Sequence, residues 1–432
     1  MRIVRVLHHD IEVAIVVEDA GVEQLVLRRL AIAPINCAYK RLFSSVLGTY
    51  IGNRLAAESD AYQNLKNNLK IPVDGLGLNT EDGQAIHELL YEDVSEWLKK
   101  LADKSTRQEL YDRMAKAHYE TLAPRFIELF QKENKLLAEL GYADVIGFYC
   151  RMTDHDLWTL GEKGKQLVDD TEALYTERMG ALYQERTGAD FSQATRADIS
   201  YVLHGKSEAM AAIDGRFPQD RLLPLARETF DGLGLRFSEI AATVDFQSLD
   251  EYQENVVSRT ENEPGLRRIL LDVANRPGKR SRAYVYPSAV PAEIYLSVKP
   301  EGGLDDYSAF FHESGHAQHF AYENPDLSYA CALLGNNTTT EAYAYLFQNL
   351  FLNRHWLTHK AGLTPEEARQ VVRRGALADL YMLRRYASKM QFELQLFDGV
   401  NLTSYSLANK GKIYADLLTR GCGFKYDPEG WS

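Results

Sequence analysis

Helical periodicity is the feature that most constrains this chain. From about Glu81 onward apolar residues recur at spacings of three and four, with Ile86, Leu89, Leu90, Val94 and Leu98 forming one face. Residues 110–140 and 157–180 continue in the same style, and Gly141, Gly161, Gly188 and Gly215 punctuate the pattern. With 432 residues, 45% of them hydrophobic, the chain has ample material for a large buried core. The predicted class is mainly α.

The clearest exception lies at 282–299. Tyr284, Val285 and Tyr286 favour a strand, and Ile294, Leu296 and Val298 then alternate with Tyr295, Ser297 and Lys299. A period of two reads as a half-buried strand, and the flanking Pro287 and Pro291 favour a sheet edge. Helices follow. Gly302, Gly303 and Asp305 offer a start, with Asp305 as N-cap, for a helix running to about Tyr322. Residues 336–340 introduce another, from about Glu341 to His359. Thr364-Pro365-Glu366-Glu367 is a capping box with proline at the first helical position, and its helix should reach about Phe397, with Gly399 beyond.

Residues 1–80 form an N-terminal segment of uncertain structure, in which Val4, Val6, Val13, Ile15 and Val17 suggest one or two short strands or a leader. Residues 81–432 read as one helical domain.

Composition excludes some classes. A formal net charge of -12 argues against nucleic acid as a partner, because binding phosphates needs a basic surface. The apolar run Ile11–Val17 contains Glu12 and is followed by Glu18 and Asp19, too short and too charged for a signal peptide or a membrane span. Cys37, Cys150, Cys331 and Cys422 are scattered, with no C-x-x-C pair. That suits a reducing compartment, so the expected location is cytoplasmic.

The chemistry concentrates in His312-Glu313-Ser314-Gly315-His316, an H-E-x-x-H sequence in a predicted helix. Residues four apart lie on one helical face, so two imidazoles there can reach one ion at the usual zinc–nitrogen distance of about 2.0–2.1 Å. Glu313, offset by about a third of a turn, can lie beside the ion and face a water. Phe310, Phe311 and Phe320 point to burial of this helix, and buried histidines need partners. A catalytic zinc keeps three protein ligands and an open fourth position. Glu341, 25 positions after His316 and across a loop long enough to turn back, is the candidate third ligand. A first-turn glutamate stabilised by its helix dipole is the simpler reading of that residue taken alone. Glu323 is the local rival, poorly placed just past the motif helix.

Read as H-E-S-G-H-A-Q-H, His312–His319 resembles the active-site helix of the thimet oligopeptidase and oligoendopeptidase F family of zinc metallopeptidases, whose pattern is H-E-x-G-H-x-x-H. That family places its glutamate ligand at the same 25-residue step, so the role carries over to Glu341. The likeness extends weakly over about residues 140–432 and is strong only near the motif. It implies a large, mainly helical zincin-type peptidase, with a small β region before the active-site helix and a channel admitting short peptides. The metal site would fall within 282–359.

The family's oxyanion-assisting histidine and tyrosines lie roughly a hundred residues past the glutamate ligand. Counted from Glu341, that is beyond Ser432. Either the chain is truncated or other groups stand in, with Tyr386, Tyr405, Tyr414 and Tyr426 as candidates by type. Without such groups zinc binding with weak or no turnover is expected. His319 fits a structural hydrogen bond better than a fourth ligand. Asp305 and Asp306 either orient a ligand imidazole or cap the helix.

The expected function is hydrolysis of peptide bonds in short peptides. One Zn2+ would be held by His312, His316 and Glu341, and Glu313 would act as general base on a metal-activated water. A zinc carboxypeptidase of related helical fold, a catalytically impaired peptide-binding homologue and a metal-free helical scaffold remain open.

Overall fold

The computed structural model describes residues 2–8, 11–17, 33–80, 82–153, 155–205, 208–244, 268–274, 279, 283–327, 329–333, 337–397 and 407–428. Gly399 and Tyr405 lie outside them. The chain divides into two compact units, Met1–Gly205 with Leu380–Ser432, and Lys206–Asp379. Helices dominate both, as the periodicity predicts. No helix among the described residues is long and apolar enough to cross a membrane.

The first unit opens with β1 (Arg2–His8) and β2 (Ile11–Val17), paired antiparallel with Val4 opposite Ile15 and Val6 opposite Val13. A 36-residue helix, α1 (Ala33–Asn68), follows where the sequence pattern suggested none. Then β3 (Lys70–Pro72) pairs with β4 (Glu88–Leu90), setting buried Ile71 against buried Leu89. This corrects the single helical face expected at 86–98. Leu89 enters the core from a strand, whereas Val94 and Leu98 enter it from α2 (Val94–Lys100). A strand residue followed by helical ones imitates a helical spacing over so short a window.

Helix α3 (Lys104–Ala117) starts where the Asp103 carboxylate accepts the Thr106 N–H at 2.7 Å. It runs through a wide turn at His118–Leu122 into α4 (Ala123–Glu139), so the predicted 110–140 helix is present with a bulge in it. Next come α5 (Val145–Thr153), α6 (Leu157–Asp170), α7 (Glu172–Thr187) and α8 (Ile199–His204). The buried Arg107–Asp198 pair, 2.7 Å apart, ties α3 to the turn before α8, and Tyr183 also donates to Asp198. Such a pair tolerates loss of neither partner.

The second unit begins with α9 (Glu208–Asp214), α10 (Leu222–Gly232) and α11 (Phe237–Ile240). Its sheet holds β5 (Ala241–Thr243), β6 (Ile269–Asp272), β7 (Tyr284–Ala289) and β8 (Glu293–Ser297) in the order β5-β6-β8-β7. The alternation at 293–298 is indeed a strand, with Ile294 and Leu296 buried. Its place differs from expectation. β8 lies inside the sheet, parallel to β6, while β7, which contains Pro287, is the edge. A proline has no N–H for a second neighbour, so it marks its own strand as the edge rather than the next one.

Helix α12 (Leu304–Ala321) carries the H-E-x-x-H residues. Its N-cap is Gly303, at φ 91°, and not Asp305, which is exposed. The first helical N–H, from Leu304, is instead satisfied by Asp214 of α9 at 3.1 Å. After α13 (Tyr329–Ala332), α14 (Asn337–Gln348) begins four residues earlier than predicted, which sets Glu341 in its second turn. α15 (Arg354–His359) follows a tight turn. The capping box forms as expected, with Thr364 N–H to Glu367 at 2.7 Å and Glu367 N–H to Thr364 at 3.2 Å, and starts α16 (Pro365–Phe397). The last helix, α17 (Leu407–Cys422), belongs to the first unit. Around Phe311 of α12 the core is aromatic, with Phe230 at 5.2 Å, Phe351 at 5.4 Å and Trp356 at 5.4 Å between ring centroids.

His118, 8% exposed, opens the wide turn and pairs with the Tyr91 hydroxyl at 3.1 Å. Burial, then the charge of Lys66, pushes its imidazole down to about 4. The unfolded chain binds this proton near pH 6.5 and the folded chain only near pH 4, so stability is intact above 6.5 and falls as pH drops through that window. Between pH 7.5 and pH 5 this one group should cost about 2 kcal/mol. Urea unfolding of the protein and of His118→Gln at both pH values checks this. The variant should lose less stability by that amount, and equal losses would contradict it.

Candidate metal centre

His312 and His316 share one face of α12, with ring centroids 5.0 Å apart and planes at 83°. What they meet is set by the residue between them. A Cβ built on Gly315 would lie 2.5 Å from the Tyr343 carbonyl oxygen and 2.6 Å from the Ala344 Cα, so α14 rests directly on the α12 backbone. That contact brings Glu341 over the histidines. One carboxylate oxygen lies 3.5 Å from His312 Nε2 and the other 3.9 Å from His316 Nε2. The three ligand atoms all lie within 4.8 Å of one another. Donors at zinc distances in a tetrahedron are about 3.3 Å apart, so this spacing suits one ion with small adjustment.

The far nitrogens are held as well. His312 Nδ1 donates to the Gln348 side-chain oxygen at 2.7 Å, and His316 Nδ1 lies 2.7 Å from the Thr340 hydroxyl. With the proton on Nδ1, each ring turns its Nε2 lone pair toward Glu341. Burial lowers the His316 pKa against the opposing pull of Glu341, and the neighbouring His312 lowers it further, which favours the neutral ring. Two lone pairs and a carboxylate thus converge, an arrangement that repels unless a cation lies among them. The donor set therefore fits a zinc ion. The imidazoles are largely covered, at 20% and 13% exposure, while the Glu341 side chain is 46% exposed and leaves that side open to water.

Other residues singled out from sequence take different places. Glu313 is half-buried on α12, about 100° round the helix from His312. His319 pairs with Glu323 at 3.1 Å and stacks on Tyr343 at 4.7 Å, so Glu323 is engaged away from the ligand set. The Asp306 carboxylate accepts the backbone N–H groups of Glu301 and Gly302, and neither Asp305 nor Asp306 is the imidazole partner. Tyr414 and Tyr426 are buried and Tyr386 is exposed, all three in the first unit, whereas the three candidate ligands belong to the second. Sequence reasoning missed Gln348 and Thr340. The available signal was their position, since Gln348 lies two turns from Glu341 on the same face of α14.

Among solved structures the chain is similar to a candidate oligoendopeptidase F, with a TM-score of 0.54 and 14% identity over 93% of this chain and 66% of that one. The chain has the oligoendopeptidase F fold. A candidate peptidase from Chlamydophila abortus matches this fold at a TM-score of 0.56, with 16% identity over 94% of this chain and 65% of that one. PZ peptidase A with an inhibitor matches at 0.51, with 15% identity over 90% and 63%. The chain thus spans about two thirds of the length of these oligoendopeptidase-fold proteins. No family model and no curated protein sequence matches it.

Two outcomes are expected. Gly315→Ala should destabilise the metal-free protein by about 1–3 kcal/mol through overpacking and also weaken zinc binding, because α14 must lift away. Thermal denaturation and chelator competition would show both effects, and an unchanged protein would mean that the helices do not touch there. Gln348→Leu should leave the fold intact and lower zinc affinity by about 10–100-fold. Unaltered affinity in the same competition assay would remove Gln348 from the site.

Proposed function

We propose that this chain carries the zinc centre of a peptidase that hydrolyses short peptides. The observation behind this reading is the convergence of His312, His316 and Glu341, each imidazole fixed from behind by a hydrogen bond. One zinc ion held there would supply Lewis acidity, polarising a substrate carbonyl and lowering the pKa of a water toward about 7.

The chain's own groups do the rest. Glu313 takes a proton from the attacking water as its oxygen bonds to the carbonyl carbon. It returns that proton to the leaving nitrogen as the C–N bond breaks. The edge strand β7 presents a backbone to which an extended peptide can add as a further strand. Its exposed Tyr284 and Tyr286 offer side-chain contacts beside that backbone. A cytoplasmic location belongs to the same reading and rests on the scattered cysteines.

Glu313→Gln separates metal binding from catalysis. The variant should keep one zinc per chain and lose peptide hydrolysis by at least about 10²-fold, measured on a fluorogenic peptide with zinc content in parallel. Retained zinc with undiminished hydrolysis would overturn the assigned base.

A further inference from the structure

Helix α15 carries another pair of histidines four residues apart, His355 and His359. The helix is firmly held. Its start is fixed by the Asn353 side chain, which accepts the Trp356 N–H at 3.1 Å. Trp356 and Leu357 are buried, and the Trp356 indole N–H donates to the Thr229 hydroxyl at 3.2 Å. On this anchored turn His355 and His359 share one face, and both are exposed.

Their rings stack, with centroids 3.9 Å apart and planes 27° from parallel. Hydrogen bonds decide which nitrogen of His359 is free. Its Nδ1 lies 2.9 Å from the His355 carbonyl and 2.9 Å from the Thr358 hydroxyl. A carbonyl can only accept, and the Thr358 proton goes to the Arg354 carbonyl at 2.9 Å. In the neutral ring Nδ1 therefore carries the proton, and Nε2 keeps its lone pair. A backbone carbonyl behind one nitrogen is a common support for an imidazole that binds metal through the other.

His355 is the adjustable member. Among the described residues its ring makes no hydrogen bond, so it can turn without losing one. An ion at about 2.0–2.1 Å from two nitrogens needs them about 3 Å apart, which rings already stacked this closely reach by tilting. The neighbouring cation Lys360 is matched by Glu228 at 2.9 Å.

The ligand count selects the ion. Among the described residues no third imidazole, thiol or carboxylate completes a set here. Zinc takes three or four ligands from a protein, so two imidazoles hold it weakly. Copper(II) binds a given set of nitrogen ligands more tightly than zinc does, and water can fill its remaining positions.

We propose that His355 and His359 form a metal site of their own, separate from His312, His316 and Glu341, that takes copper(II) through two imidazole nitrogens. This site stands without the zinc reading.

The test is a copper(II) titration of the full chain carrying His312→Gln, which disables the other candidate centre, followed by electron paramagnetic resonance. The bound copper should show coupling to two imidazole nitrogens. Adding His355→Gln or His359→Gln should each remove about one copper per chain together with that coupling. Both side chains are exposed, so the Tm without metal should stay the same and show that each variant folds. Copper held elsewhere, at other surface imidazoles or at the amino terminus, would survive both substitutions, and that outcome would overturn the proposal. So would the absence of nitrogen coupling, or zinc competing for the pair as well as copper does.

Discussion

At Gly315 two helices meet with no room for a methyl group. Because α14 lies on the α12 backbone there, it delivers three things to one spot: Glu341 as an oxygen donor, Thr340 behind His316, and Gln348 behind His312. One helix thus supplies the third candidate ligand and the groups that hydrogen-bond both candidate imidazoles. The aromatic cluster of Phe311, Phe230, Phe351 and Trp356 holds α12 one turn before that crossing, since Phe311 precedes Gly315 by four residues. Ligand geometry then follows from helix packing rather than from a loop, which is how a site gains precision from rigid elements.

The electrostatics follow from that packing. With the Nδ1 protons on the Gln348 and Thr340 oxygens, the Nε2 lone pairs face the Glu341 carboxylate, and burial lowers the His316 pKa against the pull of that carboxylate. The carboxylate is the most exposed of the three side chains, so an ion held there would be open to water on that side. Glu313 stands on the same helix, next in sequence to the candidate ligand His312.

Local patterns were legible in the sequence. The i, i+4 histidines, the Thr364 capping box and the alternation at 293–298 all became the elements they implied, because each depends on neighbours within one or two turns. What depends on distant partners was hidden. β6 is an unbroken buried run, Ile269-Leu270-Leu271-Asp272, without the period that marks a half-exposed strand. The α12 start is satisfied by Asp214, which lies 90 residues away. Gln348 and Thr340 look like ordinary helical polar residues until the crossing at Gly315 is known. Glu341 lies between these cases, since its spacing suggested the role while its position within α14 came from the fold.

The most direct test of this account is zinc X-ray absorption on the metal-loaded chain. One zinc per chain should give a spectrum of two imidazole nitrogens and oxygen ligands at about 2.0–2.2 Å, and Glu341→Ala should lose an oxygen or the metal itself. Substoichiometric zinc, or a shell containing fewer than two imidazoles, would contradict it.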